Sequence, residues 1–263
     1  MSGALVRSEL RKITSTRLWW GLLIGAVVYT VIQAAANAAL AGQDPGAGQP
    51  RTAALDTAQA IRTVYAGSAF QGSYIFAMIL GITGMTGEYR YQTLTPTFLA
   101  TPRRPRVVGA KMVAHLVIGI GYGVAAVVGA LLVGGAVIAI RGFDLGYDAD
   151  RLWPSLALAV LAVGLWTLLG IGIGTLIRNQ VAAVLVAVFV TFLVEPLATF
   201  ILSANDLDAI VKWLPTNAST ALTSPGGSFV DYLAWWVGGL VLLGYAAVLA
   251  GLGVLLSTRR DVT

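Results

Sequence analysis

"LWPSLALAVLAVGLWTLLGIGIGTLI", Leu152–Ile177, carries no charged residue along its whole length. A bilayer core needs about 20 consecutive, mostly apolar residues from a spanning helix, and this stretch supplies them. Working outward, similar blocks recur between clusters of charge. The spacing predicts spans over Leu18–Leu40, Ala69–Thr86, Val107–Ile140, Leu152–Ile177, Gln180–Leu202 and Tyr232–Leu256. Val107–Ile140 is longer than a bilayer requires, so its first turns are expected to stand clear of the membrane. The chain of 263 residues is 57% hydrophobic and 11% charged, with a mean hydropathy of +0.80. A soluble domain of this length needs far more charge on its surface. The reading is an all-α membrane protein with six transmembrane helices. Its single membrane domain, 18–263, follows a short helix over 1–17.

The distribution of charge sets the expected orientation. With the N-terminus inside, the inner segments hold Arg7, Arg11, Lys12, Arg17, Arg90, Arg103, Arg104, Arg106, Lys111, Arg178, Arg259 and Arg260. The outer segments hold only Arg51, Arg62, Arg141, Arg151 and Lys212, and they collect Asp44, Asp56, Asp144, Asp148, Asp150, Asp206, Asp208 and Asp231. Positive residues stay inside, so both termini are expected in the cytoplasm. The net charge of +5 then reads as a topology signal and a match to anionic lipid, not as a nucleic-acid surface. The N-terminal apolar run ending in "ANAALA" (Asn37 to Ala41, preceded by Ala36) is too long for a cleaved signal peptide, and further spans follow. Before it, Leu5, Val6, Leu10 and Ile13 alternate with Arg7, Arg11 and Lys12, predicting an amphipathic helix at the inner interface.

Several chemistries are excluded. There is no cysteine and only one histidine, His115, so thiolate metal sites, disulfides and two-histidine motifs are impossible. No lysine precedes Ser or Thr after a glycine-rich turn, so the chain has no P-loop. "GIGIG" (Gly170–Gly174), Gly119-x-x-x-Gly123 and Gly81-x-x-Gly84 lie inside spans and read as helix-packing surfaces. An enzyme would need a nucleophile–base pair or a cluster of titratable groups. A secondary transporter driven by ions would normally show paired carboxylates within the spans. The spans offer only Glu195, although an ion-driven transporter and a membrane sensor or immunity scaffold remain alternatives.

The densest polar signal is "GEYRYQTLTPTFLATPRRPRVVGAK", Gly87–Lys111. Pro96, Pro102 and Pro105 limit any helix here to a few turns, and Leu94, Phe98 and Leu99 form an apolar stretch among basic residues. Such an element suits docking into a partner's groove. In the first span, Tyr29, Gln33 and Asn37 recur every four residues and share one face. Polar faces avoid lipid, so this face is expected to line an internal path opposite Tyr74, Met78, Phe189 and Phe192. Glu195 is followed by Pro196, which should bend or end its helix. Its expected role is either to bond the next turn or to face the path.

"GEYRYQTLTPTFLATPRR" resembles the loop after the second span in type-two ABC exporter permeases. Glu88, Arg90, Thr93, Leu94, Thr101, Pro102, Arg103 and Arg104 take the places of that family's pattern, and Gln92 departs from its usual glycine. "GIGTLIRNQVAAVLVAVFVTFLVEPL" (Gly172–Leu197) is similar to the family's fourth-to-fifth span hairpin. "KWLPTNASTAL" (Lys212–Leu222) is similar to the outer segment before the last span, and "VRSELRKITSTRLWW" (Val6–Trp20) fits the amphipathic start. The resemblance implies a transport subunit in the bacterial cytoplasmic membrane, not an enzyme, working as a dimer with a second permease. ATP and magnesium would bind a separate ATP-binding cassette subunit, so no cofactor is expected in this chain. Loop 87–106 would couple to that ATPase through Glu88, Arg90, Thr93, Leu94, Phe98, Leu99, Arg103 and Arg104. Segment 205–231 would be re-entrant on the outer side. The apolar path would suit an amphiphilic drug, antibiotic peptide or lipid.

Overall fold

The computed structural model describes residues 3–43, 52–92, 104–223 and 233–260, and all regular structure among them is helical. The helices are α1 (Gly3–Thr14), α2 (Leu18–Leu40), α3 (Ala58–Arg90), α4 (Arg104–Ile140), α5 (Leu152–Leu176), α6 (Gln180–Ser203), α7 (Asp208–Val211), α8 (Pro215–Thr223) and α9 (Trp235–Arg260). Six of these, α2 to α6 and α9, are long and apolar enough to cross a membrane. This is the build of a multi-pass membrane protein.

The spans do not share burial equally. The apolar windows of α3 and α5 are each 72% buried, against 22–33% for the other four. Helices α3 and α5 therefore form the centre, with α2, α4, α6 and α9 around them. Small residues let the central pair approach. A Cβ on Gly81 would run into the Thr167 carbonyl oxygen, and one on Gly170 into the Met78 carbonyl oxygen. The glycine pairs thus work as packing surfaces, as their placement inside apolar spans predicts.

Helix α3 begins earlier than expected. The hydropathy pattern starts the second span at Ala69, but the helix runs from Ala58, where Thr57 accepts the Ala60 N–H at 3.2 Å. The added turns carry Arg62, Thr63 and Ser68 and so look too polar for lipid. They are covered by protein instead: Ile61, Val64, Tyr65 and Ala66 are buried, and Arg62 donates to the Asp150 carbonyl at 2.9 Å. The turn Thr63–Gly67 is a π-helix. A second π turn, Val190–Val194, precedes Glu195 in α6.

This second turn bears on the expectation that Pro196 bends or ends its helix. The helix does not end there but continues to Ser203. Proline lacks an N–H, and its ring clashes with the carbonyl four residues back, here Phe192. Phe192 lies in the wider π turn, where Glu195 N–H bonds back to Val190. The altered geometry accommodates the ring without breaking the helix.

At one end of the bundle α1 packs on α4, with Val6, Leu10 and Ile13 against the core. Deeper in the bundle α8 packs between α5 and α9. There the Trp166 Nε1 donates to Ser219 Oγ at 2.7 Å. Trp166 is about 21 Å along α5 from Leu152 at about 1.5 Å per residue.

Candidate functional site

Two buried polar sites stand out, one at the α1 end of the bundle and one near the middle of the central helices. The first is at the α1 end. Glu9 lies on the face of α1 that carries Ile13, Glu88 lies in the last turn of α3, and Lys111 lies near the start of α4. All three are about 95% buried, at 4%, 5% and 4% exposure. Lys111 Nζ reaches Glu9 Oε2 at 2.7 Å and Glu88 Oε1 at 2.9 Å. Lys12 Nζ reaches Glu9 Oε1 at 2.6 Å and Glu88 Oε1 at 3.0 Å from the more exposed rim. Two carboxylates and two ammonium groups thus close a neutral cluster that ties three helices together. Ions taken out of water require such pairing.

The cluster sets the ionisation of α1. Burial pushes the Glu9 carboxyl up, but the charge and hydrogen bond of Lys111, with those of Lys12, outweigh it and hold it below the usual glutamate value. Burial pushes Lys12 down, and its hydrogen bonds to Glu9 and Glu88 outweigh that and raise it. One turn deeper, His115 Nδ1 lies 2.9 Å from the Lys111 carbonyl oxygen. Its ring rests where a side chain on Gly84 would otherwise sit. His115 Nε2 and Glu88 Oε2 are buried and have no hydrogen-bond partner among the described residues.

Glu88 and Lys111 are the two stems of the loop singled out in the sequence. Of the proposed coupling residues, Glu88 is in the cluster and Arg90 is exposed over the Tyr91 ring at 5.7 Å. Thr93, Leu94, Phe98, Leu99 and Arg103 lie outside the described residues, as does the side chain of Arg104. Gln92, which stands where the resembling family has glycine, has φ +54°. That left-handed conformation after a helix end favours glycine, which gives a physical reason for the family's usual choice.

The second site surrounds Glu195, which is 5% exposed. Its Oε1 accepts both the backbone N–H and the hydroxyl of Thr216, each at 2.5 Å. Thr216 is in the first turn of α8, where backbone N–H groups lack helical partners and an anion is favoured. Glu195 therefore caps α8 from a distant helix, and Asn217 adds a bond to Thr199 Oγ1 at 3.1 Å. The rings of Phe70 and Tyr74 stack at 4.9 Å, and Tyr74 meets Trp166 edge-on at 4.6 Å and Phe192 at 6.4 Å.

The structure brings the remaining path residues together only in part. Asn37 donates to Ser68 Oγ at 2.9 Å, and Gln33 donates to Gln71 at 3.4 Å. Tyr29 lies 6.5 Å from the Phe76 ring. This face of α2 therefore meets α3. Tyr74 meets Phe192, but Met78 has no exposed surface, being enclosed in the α3–α5 contact. Phe189 and Phe192 are 55% and 51% exposed.

Glu9, Lys12 and Lys111 were not singled out as a site from sequence. The available signal was a glutamate beside Ile13 on the apolar side of α1, and a lysine and histidine four residues apart at the foot of a long apolar helix. No family matches this chain in a comparison with known protein families, and no curated protein matches it.

Proposed function

We propose that this chain is the membrane permease subunit of an ATP-driven transporter, with α1 and loop 87–106 on the side of a separate ATP-binding cassette subunit. The observation that supports this best is the cluster of Glu9, Lys12, Glu88 and Lys111. It joins both stems of the loop to α1, so a force on the loop reaches α1, α3 and α4 together. The positive-inside pattern puts this end in the cytoplasm, where ATP is available, and the membrane is the bacterial cytoplasmic one. A second copy or a related permease completes the transporter. Nucleotide and magnesium belong to the ATPase, and this chain performs no hydrolysis.

The α8 region supports a re-entrant reading of 205–231. Helix α8 reaches the level of Trp166 and is fixed there by Ser219, while Glu195 holds its first turn. Irregular backbone at membrane depth is tolerated where protein surrounds it. The exported substrate is amphiphilic, in keeping with the few charges and many rings along α3 and α6.

Co-purification tests the reading. The chain, tagged and expressed with any ATP-binding cassette subunit that an adjacent gene encodes, should retain that subunit and stimulate its ATPase activity. Apolar anchors dominate such contacts, so Phe98→Ala should weaken the complex more than Arg106→Ala. If wild-type chain neither retains nor stimulates an ATPase, the reading is wrong.

A further inference from the structure

We infer that Glu195 and the aromatic rings around it form a binding site for a monovalent organic cation. This names the substrate class for the transport reading above and rests on it.

The carboxylate is only half used. Oε1 takes both Thr216 donors, whereas Oε2 receives no hydrogen bond from the described residues and is not among the sealed, unpartnered atoms. It therefore keeps a small accessible surface, although the residue as a whole is 5% exposed. Among the described residues, no lysine, arginine or histidine pairs with it. Contrast Glu9 and Glu88, which are each met by two lysines. Thr216 supplies hydrogen bonds but no compensating charge, so the ionised carboxylate would stand in apolar surroundings with its charge unmatched. A cation is the ligand that offsets it.

The neighbours select the kind of cation. Calcium and magnesium need about six oxygen ligands, and no group of three metal-binding side chains occurs among the described residues. What the site offers instead is ring faces. Phe192 precedes Glu195 by three residues, across the π turn, and is 51% exposed. The Tyr74 ring lies 6.4 Å from the Phe192 ring and 4.6 Å from the Trp166 ring. A carboxylate beside exposed aromatic faces matches a quaternary ammonium or phosphonium group, whose diffuse charge is attracted by rings and is easily stripped of water. The π turn that ends at Val194 sets the rotation of Glu195 relative to Phe192, and such turns are frequent at functional sites.

The test uses two probes of equal shape and opposite charge, tetraphenylphosphonium and tetraphenylborate. The full chain, without ATPase, is placed in phosphatidylcholine nanodiscs, and binding to empty discs is subtracted. Tetraphenylphosphonium should bind saturably and tetraphenylborate should not. Glu195→Gln keeps size and an acceptor for Thr216, and should lower phosphonium affinity about tenfold or more with little change in melting temperature. Phe192→Ala, on an exposed face, should lower it several-fold, and it carries the test if the Gln variant fails to fold. Absence of saturable phosphonium binding overturns the site, as does undiminished binding by either folded variant. Because the measurement needs no ATPase, loss of this site with ATPase stimulation intact overturns the cation assignment alone. Failure to stimulate an ATPase, with cation binding intact, overturns the transporter reading instead.

Discussion

The chain buries carboxylates in two places, at the α1 end of its bundle and beside α8, but stabilises them by different means. At the α1 end, Glu9 and Glu88 face Lys12 and Lys111, and the charges cancel within one cluster. Beside α8, Glu195 is held by a backbone N–H and a hydroxyl, both from Thr216. The first arrangement fixes three helices and is neutral. The second fixes one short helix and, among the described residues, leaves the carboxylate without a counter-charge. An ionic lock suits a joint that must transmit force, whereas an unneutralised carboxylate suits a site that meets a cation. The two sites should therefore fail differently when broken.

The largest effect is expected from Lys111→Met. It leaves Glu9 and Glu88 buried with only the rim lysine, and removing one partner of a buried pair costs about 3–5 kcal/mol. Thermal unfolding in detergent should show the loss. Adding Glu88→Gln restores a balanced Glu9–Lys12 pair, so the double variant should be more stable than Lys111→Met alone. If the double variant is the less stable, charge balance is not what holds this end.

A smaller effect is expected at the other site. Glu195→Ala strands the Thr216 N–H and hydroxyl and should cost about 1–3 kcal/mol. Glu195→Gln keeps an acceptor and should cost less than about 1 kcal/mol. Equal unfolding temperatures for the Ala variant and wild type would show that Thr216 does not depend on this carboxylate.

The smallest effect concerns pH and the docking of α1. The Glu9 pKa is depressed in the folded chain, so its contribution is present above the unfolded value near 4.5 and is lost as pH falls through the lower folded value. The Lys12 pKa is raised, so its contribution is complete below 10.5 and is lost as pH rises through the higher folded value. Docking of α1 should thus be constant between these limits and loosen outside them. Spin labels at Ser8→Cys and Val117→Cys can report this, because the chain has no native thiol. A distance that shifts between pH 6 and 9, taken as about the middle of the range set by the ordinary Glu and Lys values, would contradict the assignment.

Sequence by itself determined the six spans, because an unbroken apolar run of bilayer length has few alternatives. Leu18–Leu40 coincides with the expected range, the third helix begins three residues before the expected Val107, and the fourth and fifth differ from theirs by one residue at an end. It also determined that Glu195 needs an answer to its burial, since a lone carboxylate between Val194 and Pro196 admits no local partner. It marked the inter-helix glycines, because glycine within an apolar span has little other use.

Tertiary structure decided everything that depends on distant partners. The start of α3 at Ala58 was hidden because its polar turns are buried by protein and not by lipid, a distinction that hydropathy does not carry. Glu9 and Lys111 are 102 positions apart and Glu88 and Lys111 are 23 apart, too far for helical spacing to reveal. Thr216 lies 21 positions from Glu195, on a helix whose placement beside α5 is set by packing around Trp166. Local pattern fixes which segments leave water. Only the folded arrangement fixes which buried charges meet, because the cost of burying each one is offset by groups that the fold, and not the sequence neighbourhood, brings to it.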